Sequence, residues 1–518
     1  MRCTARWTAA RSATEALARA ARWAWHLAPT CWGPLLGVTI ATLAVLCWLG
    51  FTVDDALISA RYASHIKEGL GHRFNPSGPI TDGVTPLPWP YILAPFASDA
   101  MSALVASRIM GVVAWLVVSL LLAIHLSKIV GRRLSLGHLA WPIAFATPCV
   151  AAWASAGMET SIATALTTAA VVASGVGKRR LAGLALGIGC TLRPELLPFA
   201  LTIALGSAWL DAPGYDEATF RKVRALMLHV PLVVGPFVVV ALLRLWLFGA
   251  PGPLALRAKP SDLTHGLQYA VAVWLVVGTP IAVLAPIAWR KLNAWAKWLV
   301  AAWIVHTLSC VIVGGDWMPL SRLFVPVLPS LAVVFAHLAR VAHPASTIAR
   351  AVVCVAGHVF VTTSVMSSAR RVMSDRSVLV EQLRDTARDG DVIASVDVGW
   401  VGAAHRGVVV DLAGVTDPVV ASLPGGHTSK RILPEMLELR GVTHLLMLVR
   451  SAGRDSSRLS DQEVSGEQAW EECLMSRRVE VDLCRSKDVR SVFKPAGTVE
   501  ATESLRYVVL KRCDERID

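Results

Sequence analysis

Charge is scarce in this 518-residue chain: Asp, Glu, Lys and Arg together make up 17% of it. So low a charged fraction excludes intrinsic disorder, which needs high charge and little apolar surface. Cysteine is sparse as well. Of the ten, seven precede residue 367, several inside apolar runs, where they read as small core residues rather than a disulfide scaffold. Acids are outnumbered by bases, 37 to 50, but the deficit is local. Residues 1–366 hold 28 Lys+Arg and 13 Asp+Glu, whereas residues 367–518 hold 22 and 24. A positive excess confined to the apolar part reports membrane orientation, and no nucleic-acid partner is expected. What is abundant is apolar surface: 54% of residues are hydrophobic and the mean hydropathy is +0.53, which points to a polytopic membrane protein.

From Pro34 to Met366 about eleven apolar stretches follow one another, at 34–51, 102–127, 138–155, 158–175, 181–193, 195–210, 226–248, 268–288, 295–313, 323–341 and 348–366. Nine are long enough to span roughly 30 Å of hydrocarbon, and two are half-length and meet at Arg193-Pro194. Basic clusters fall in alternate loops, beginning with Arg2 to Arg22, so the N-terminus is expected in the cytoplasm and the last span to exit outward. Residues 1–33 read as a cytoplasmic basic amphipathic segment carrying Trp7, Trp23 and Trp25 at the inner face of the bilayer. Residues 34–366 read as a transmembrane helical bundle with a first outer loop at 52–101, and residues 367–518 as an extracytoplasmic mixed α/β domain. The latter has strands expected at 391–396, 407–412, 443–449 and 507–510 and helices at 377–389 and 434–439. The fold class is thus mainly α. Cys473 and Cys484 can pair, which leaves Cys513 over.

That topology sorts the acids. Asp54, Asp55, Glu68, Asp82, Asp99, Glu159, Glu195, Asp262 and Asp316 fall on the outer side, and only Glu15, Asp211, Asp216 and Glu217 inside. Ionisable groups of both signs converging at outer span ends suggest a site, because such groups are costly near a bilayer. The plain alternative is solvated loop charge. The first outer loop begins Asp54-Asp55-Ala56-Leu57-Ile58-Ser59-Ala60-Arg61-Tyr62-Ala63 and continues through Phe74-Asn75-Pro76 and Gly83-Val84-Thr85-Pro86-Leu87-Pro88-Trp89. An Asp pair there can cap a short helix. Capping explains one carboxylate well and two poorly, and an Asp at the outer interface can also take a proton from an acceptor hydroxyl.

These residues resemble the GT-C membrane glycosyltransferases related to the mycobacterial terminal (β-1,2) arabinofuranosyltransferases. The likeness recurs in order along residues 50–420. It includes Gly157-Met158-Glu159-Thr160, Leu192-Arg193-Pro194-Glu195, the loop Gly249 to Lys259, Gly314-Gly315-Asp316-Trp317-Met318 with Arg322, Asp397-Val398-Gly399, and Val410 to Asp417. Leu254, Leu192 and Ala60 depart from the family pattern, which touches the donor sugar more than the reaction. The resemblance implies transfer of a sugar, a pentofuranose in that family, from a polyprenyl-phosphate donor to a cell-envelope glycan or glycolipid acceptor, with inversion, outside the cytoplasmic membrane.

Under that reading Asp54 or Asp55 is the general base, with Asp54 weakly preferred as nearer the membrane surface. Arg61, Lys259, Arg193 and Arg322 are the candidate cations for the donor phosphate, Arg by bidentate contact and Lys259 as a point charge. Glu159, Glu195, Asp316, Trp89 and Trp317 are candidate substrate contacts. Each has a structural alternative: Glu159 as a helix cap, Arg193 and Glu195 as a self-neutralising pair, Gly314-Gly315-Asp316 as a turn, and the tryptophans as an interfacial belt. No cofactor is expected with certainty. No His/Asp ligand spacing supports a dedicated metal site, although an Asp pair can hold a divalent cation with phosphate. The rival from another class is a transporter or flippase for a lipid-linked or anionic substrate, which the break at Arg193-Pro194 fits.

Overall fold

The computed structural model describes residues 32–131, 135–211, 218–450, 465–502 and 505–513; the basic segment up to residue 31, with its three tryptophans, lies outside them. Apolar runs become helices, and caps, Pro and Gly set their ends. Helix α1 (Trp32–Cys47) is followed by α2 (Asp54–Lys67) and α3 (Ala100–Val130). At the start of α3, Asp99 Oδ1 accepts the Ser102 N–H at 2.7 Å and Ser102 Oγ accepts the Asp99 N–H at 2.9 Å. This reciprocal cap satisfies two donors that a helix N-terminus otherwise leaves unpaired. Along α3, Val105, Ile109, Val113 and Val117 are exposed at a four-residue spacing, while Ser107, Gly111, Trp115 and Leu122 are buried. One apolar stripe outward and a small-residue face inward suits a helix between lipid and its neighbours.

Next come α4 (Thr160–Gly175), α5 (Arg179–Leu192), α6 (Leu197–Asp211), α7 (Ala218–Phe248), α8 (Leu263–Ala272), α9 (Ala294–Ile312), α10 (Leu328–Val341) and α11 (Pro344–Thr386). Among the described residues four helices are long and apolar enough to cross a membrane: α3, Val223–Phe248 within α7, α9 and α11. Four further apolar helices are shorter, Trp32–Cys47, Thr160–Gly175, Leu263–Val277 and Leu328–Val341, and the expected count of about eleven spans is not confirmed. The run 138–155 is cut into Leu136–Leu139, Ala140–Phe145 and Pro148–Ser155, because Pro148 cannot continue the preceding helix. The run 268–288 breaks after a wide turn at Val273–Val277, where Gly278 takes a left-handed φ of 73°. Two half-length helices, α5 and α6, meet at Arg193-Pro194, with Arg193 extended (φ −136°, ψ 89°) as a residue before proline prefers.

The boundary expected at residues 366–367 is not a break in the backbone. Helix α11 runs 43 residues through it and absorbs the separate helix expected at 377–389. No Gly or Pro occurs between His358 and Asp389 to stop it. Beyond it lies a five-stranded sheet ordered β2-β1-β3-β5-β4, from β1 (Val392–Ser395), β2 (Val408–Asp411), β3 (His444–Leu448), β4 (Phe493–Thr502) and β5 (Leu505–Arg512). β1 pairs in parallel with β2 and β3, and β5 runs antiparallel to β3 and β4. The short helix α12 (Val398–Ala404) forms the crossover from β1 to β2. Strand β4 was not expected; Pro495 and Gly497 interrupt its pattern where the ladder shifts register. Cys473 and Cys484 form a disulfide, and Cys513 is free and exposed.

Candidate active site

Successive residues of a helix point about 100° apart, and Asp54 and Asp55 at the start of α2 meet different partners. Asp54 is half-buried against the C-terminal sheet region. Its Oδ2 accepts the Gly399 N–H and its Oδ1 the Trp400 N–H, both at 2.9 Å, at the N-terminus of α12. Two turns further along α2, Arg61 takes the opposite end of α12. It donates to the carbonyls of Gly402 and His405 at 2.6 Å each, to Gly407 at 2.7 Å and to Phe74 at 2.7 Å. The Asp54 carboxyl caps the N-terminal donors of α12, and the Arg61 guanidinium meets the negative end of its dipole. The approach is close enough that a side chain at Gly399 would collide with the Asp54 backbone. Asn75 completes the clamp: its amide exchanges two 2.9 Å hydrogen bonds with the Val409 backbone, closing the free edge of β2.

Asp55 instead faces a cavity of about 410 Å³. The same cavity is lined by Glu159, Arg193, Glu195, Lys259, Asp316 and Arg322, and by apolar side chains including Ile58, Met158, Leu197, Leu256, Val313 and Val415. Seven of the candidate residues therefore come from five separate stretches of chain to one space. Asp54, Arg61, Trp89 and Trp317 do not line it. Of the two neighbours it is Asp55, not the weakly preferred Asp54, that lines the cavity, and both Asp54 oxygens serve α12. Arg61 is 2% exposed and spent on backbone carbonyls, so it is not placed to meet a phosphate. Trp89 is fully buried, and Trp317 is exposed beside the cavity, stacked on His265 at 4.1 Å.

Within the cavity the two arginines each join two carboxylates. Arg322 Nε donates to Asp316 Oδ2 at 2.6 Å and its Nη1 to Asp55 Oδ2 at 3.2 Å. Arg193 Nη1 donates to Glu159 Oε1 at 3.0 Å, and its Nε lies 2.7 Å from Glu195 Oε1 as an ion pair without hydrogen-bond alignment. Burial alone would push the Asp316 carboxyl up, but Arg322, Lys259 and Arg193 outweigh it and hold it below its ordinary value. Burial likewise opposes the charge on Arg322, and Asp316, Asp55 and Glu159 together reverse this and raise its pKa. Lys259, following the helical turn Ala255–Ala258, makes no ion pair among the described residues. Glu159 Oε2 and Arg193 Nη2 are buried without a hydrogen-bond partner. Orphaned polar atoms beside a cavity are places where a ligand's own polar atoms can be satisfied.

Loops hold this wall in place. Arg244 on α7 reaches Asp82 at 2.6 Å and the Val84 and Thr85 carbonyls, fixing the stretch Gly83 to Pro86 that lines the cavity. Asp411 gathers the N–H groups of Ala413, Gly414 and Thr416 at 2.7, 2.9 and 2.6 Å, which turns Val415 toward the cavity. Gly314 and Gly315 take left-handed φ of 88° and 71°, as do Leu320 and Ser321 at 57° and 58°, so the Asp316 loop is tightly wound. Residues that sequence reasoning missed include Asn75 and Asp397, visible only as parts of motifs, and His427, which nothing in the sequence marked. Among the described residues no group of three or more His, Cys, Asp or Glu side chains can hold a metal ion; the Arg322 guanidinium stands between Asp55 and Asp316, where a cation would.

No family model matches the chain, and no curated protein matches it. Among solved structures it is similar to an oligosaccharyltransferase from Archaeoglobus fulgidus, crystallised with a disulfide-tethered acceptor peptide containing the NVT sequon. The two are 12% identical over 82% of this chain and 69% of that one, with a TM-score of 0.43. A likeness that weak carries no argument about fold or reaction.

Proposed function

We propose that this protein is a GT-C-type membrane glycosyltransferase, moving a sugar from a polyprenyl-phosphate donor to a cell-envelope glycan or glycolipid acceptor. The observation that carries this reading is the cavity itself. One carboxylate, Asp55, has an oxygen left over after its ion pair, and Lys259 makes no ion pair among the described residues, in a space whose remaining wall combines the Arg193 and Arg322 ion-pair groups with apolar side chains. Asp55 takes the proton of the acceptor hydroxyl as the acceptor oxygen bonds to the anomeric carbon. The bond from that carbon to the phosphate breaks, and the phosphate leaves with the electron pair as polyprenyl phosphate. Lys259 and the free Arg193 Nη2 stabilise its extra charge, while Arg322 holds Asp55 and Asp316 in position. Attack from the face opposite the phosphate inverts the anomeric carbon. Glu159 and Glu195 accept from sugar hydroxyls. The apolar wall receives the first part of the isoprenoid tail.

On this reading residues 34–366 form the catalytic membrane domain of an inner-membrane protein with a cytoplasmic N-terminus. Residues 367–518 form an extracytoplasmic domain that helps bind acceptor. The Cys473–Cys484 bond supports an oxidising location for it. The interrupted helix at Arg193-Pro194 favours a rival, a transporter or flippase. The test uses protein in vesicles with a panel of polyprenyl-phosphoryl pentofuranoses and hexoses. Expected are a glycosidic product with wild type and a loss of about a hundredfold or more with Asp55→Asn. Full transfer by correctly folded Asp55→Asn would overturn the base assignment, and lipid movement without product would favour the transporter.

A further inference from the structure

The C-terminal region has a second cavity, of about 540 Å³, lined by Arg450, Ser476, Arg477, Arg478, Asp482 and Arg485. Four arginines against one aspartate is not background, because residues 367–518 as a whole carry 22 basic and 24 acidic side chains. Arg477 is committed inward, to Asp397 at 2.7 Å and Glu480 at 3.0 Å. Arg478 meets Asp482 only at 3.8 Å with both side chains well exposed, a pair worth little in water. Arg450 and Arg485 make no ion pair among the described residues.

The groove is built rather than incidental. Val449 bridges Met475, and the Arg450 N–H donates to the Leu474 carbonyl at 2.8 Å. The Cys473–Cys484 bond ties the helix Arg478–Arg485 back to this corner, directly beside Arg485. The arginines are thus presented by backbone that is already fixed, which lowers the ordering cost of binding.

A chain of contacts links this corner to the rim of the first cavity. The Val479 N–H donates to the Thr428 carbonyl at 3.1 Å, the neighbouring His427 ring lies 5.8 Å from Trp317, and Trp317 follows the cavity residue Asp316. Trp317 is exposed between His265 and His427, an aromatic lip of the kind on which a sugar ring stacks.

We infer that the arginine-lined groove is a distal acceptor subsite for an anionic glycan, one bearing carboxylate or phosphate groups, which reaches the first cavity across Trp317 and His427. This inference rests on the glycosyltransferase reading and names its acceptor class. Arginine suits both anions through paired N–H donors, and the lip accommodates the uncharged ring that enters the cavity.

The experiment measures binding of a fluorescent oligogalacturonate to the full-length protein in nanodiscs, beside its methyl ester of equal length. Wild type is expected to bind the anionic probe at least about tenfold more tightly than the ester, with affinity falling as salt rises. Arg478→Ala/Arg485→Ala is expected to lose about tenfold, and Arg478→Lys/Arg485→Lys to recover most of it at an unchanged unfolding midpoint. Equal binding of probe and ester, or an alanine variant that binds like wild type, would overturn the subsite; so would preference for phosphatidylglycerol vesicles over the glycan. Asp55→Asn separates the two readings. Lost transfer with no probe binding removes only the subsite, whereas full transfer with intact probe binding removes the base assignment and leaves the groove.

Discussion

Asp54 and Asp55 are adjacent in sequence and serve different parts of the molecule: Asp54 holds the Gly399 and Trp400 N–H groups at 2.9 Å, and Asp55 meets Arg322 at 3.2 Å inside the cavity. The pair should therefore separate in experiment. Asp55→Asn is expected to lower transfer by about 10²–10⁴-fold while changing stability by no more than about 0.5 kcal/mol. Asp54→Ala is expected to cost about 1–3 kcal/mol, because two backbone donors of α12 lose their acceptor. Thermal unfolding and transfer assays on both variants decide this; the reverse pattern would exchange the two roles.

Asp54 also predicts a pH dependence. Burial first, and then the Asp397 carboxylate, push its carboxyl from an ordinary 3.8 to about 8, against the two backbone hydrogen bonds. Between those values the folded protein keeps a proton that the unfolded chain has released, so stability falls as pH rises and the full penalty is reached above about 8. The unfolding midpoint of wild type should drop from pH 5 to pH 8.5 more steeply than that of Asp54→Asn. Parallel profiles would remove Asp54 from the explanation.

Arg61→Ala is expected to destabilise by about 3–5 kcal/mol, since four buried carbonyls lose a charged donor. Arg61→Lys should restore only part of this, as a single ammonium cannot reach the Phe74, Gly402, His405 and Gly407 carbonyls together. The readout is denaturant unfolding. If Arg61→Ala unfolds like wild type but loses donor affinity, the residue faces phosphate after all.

Removing the Cys473–Cys484 bond with Cys484→Ser should cost about 3 kcal/mol, the loop-closure value for so short a separation. Non-reducing and reducing peptide maps of protein from intact cells test the bond itself. Its absence there would argue against an oxidising location for the C-terminal region.

How much of this was legible in sequence depends on the period of the signal. Strands β1, β2, β3 and β5 stood out as short apolar runs between turn residues, whereas β4 carries Lys494, Pro495, Gly497 and Glu500 and has no such pattern. Cavity residues such as Asp316, Arg322 and Glu159 were found because charge at a span end is conspicuous. Which neighbour of an Asp pair faces inward was not legible, since it depends on the rotation of α2 against α12, a tertiary quantity. Two of the expected spans are interrupted for a related reason: hydropathy averages over Pro148 and Gly278, and the backbone does not.

Helix α11 has a mechanical consequence. At 1.5 Å per residue its 43 residues measure about 65 Å, twice the thickness of a hydrocarbon layer. The sheet region is thus mounted on a stiff post instead of a tether, and α2 grips it a second time through Asp54 and Arg61. With two attachments rather than one, the sheet region is expected to move together with α2 rather than swing on a single hinge.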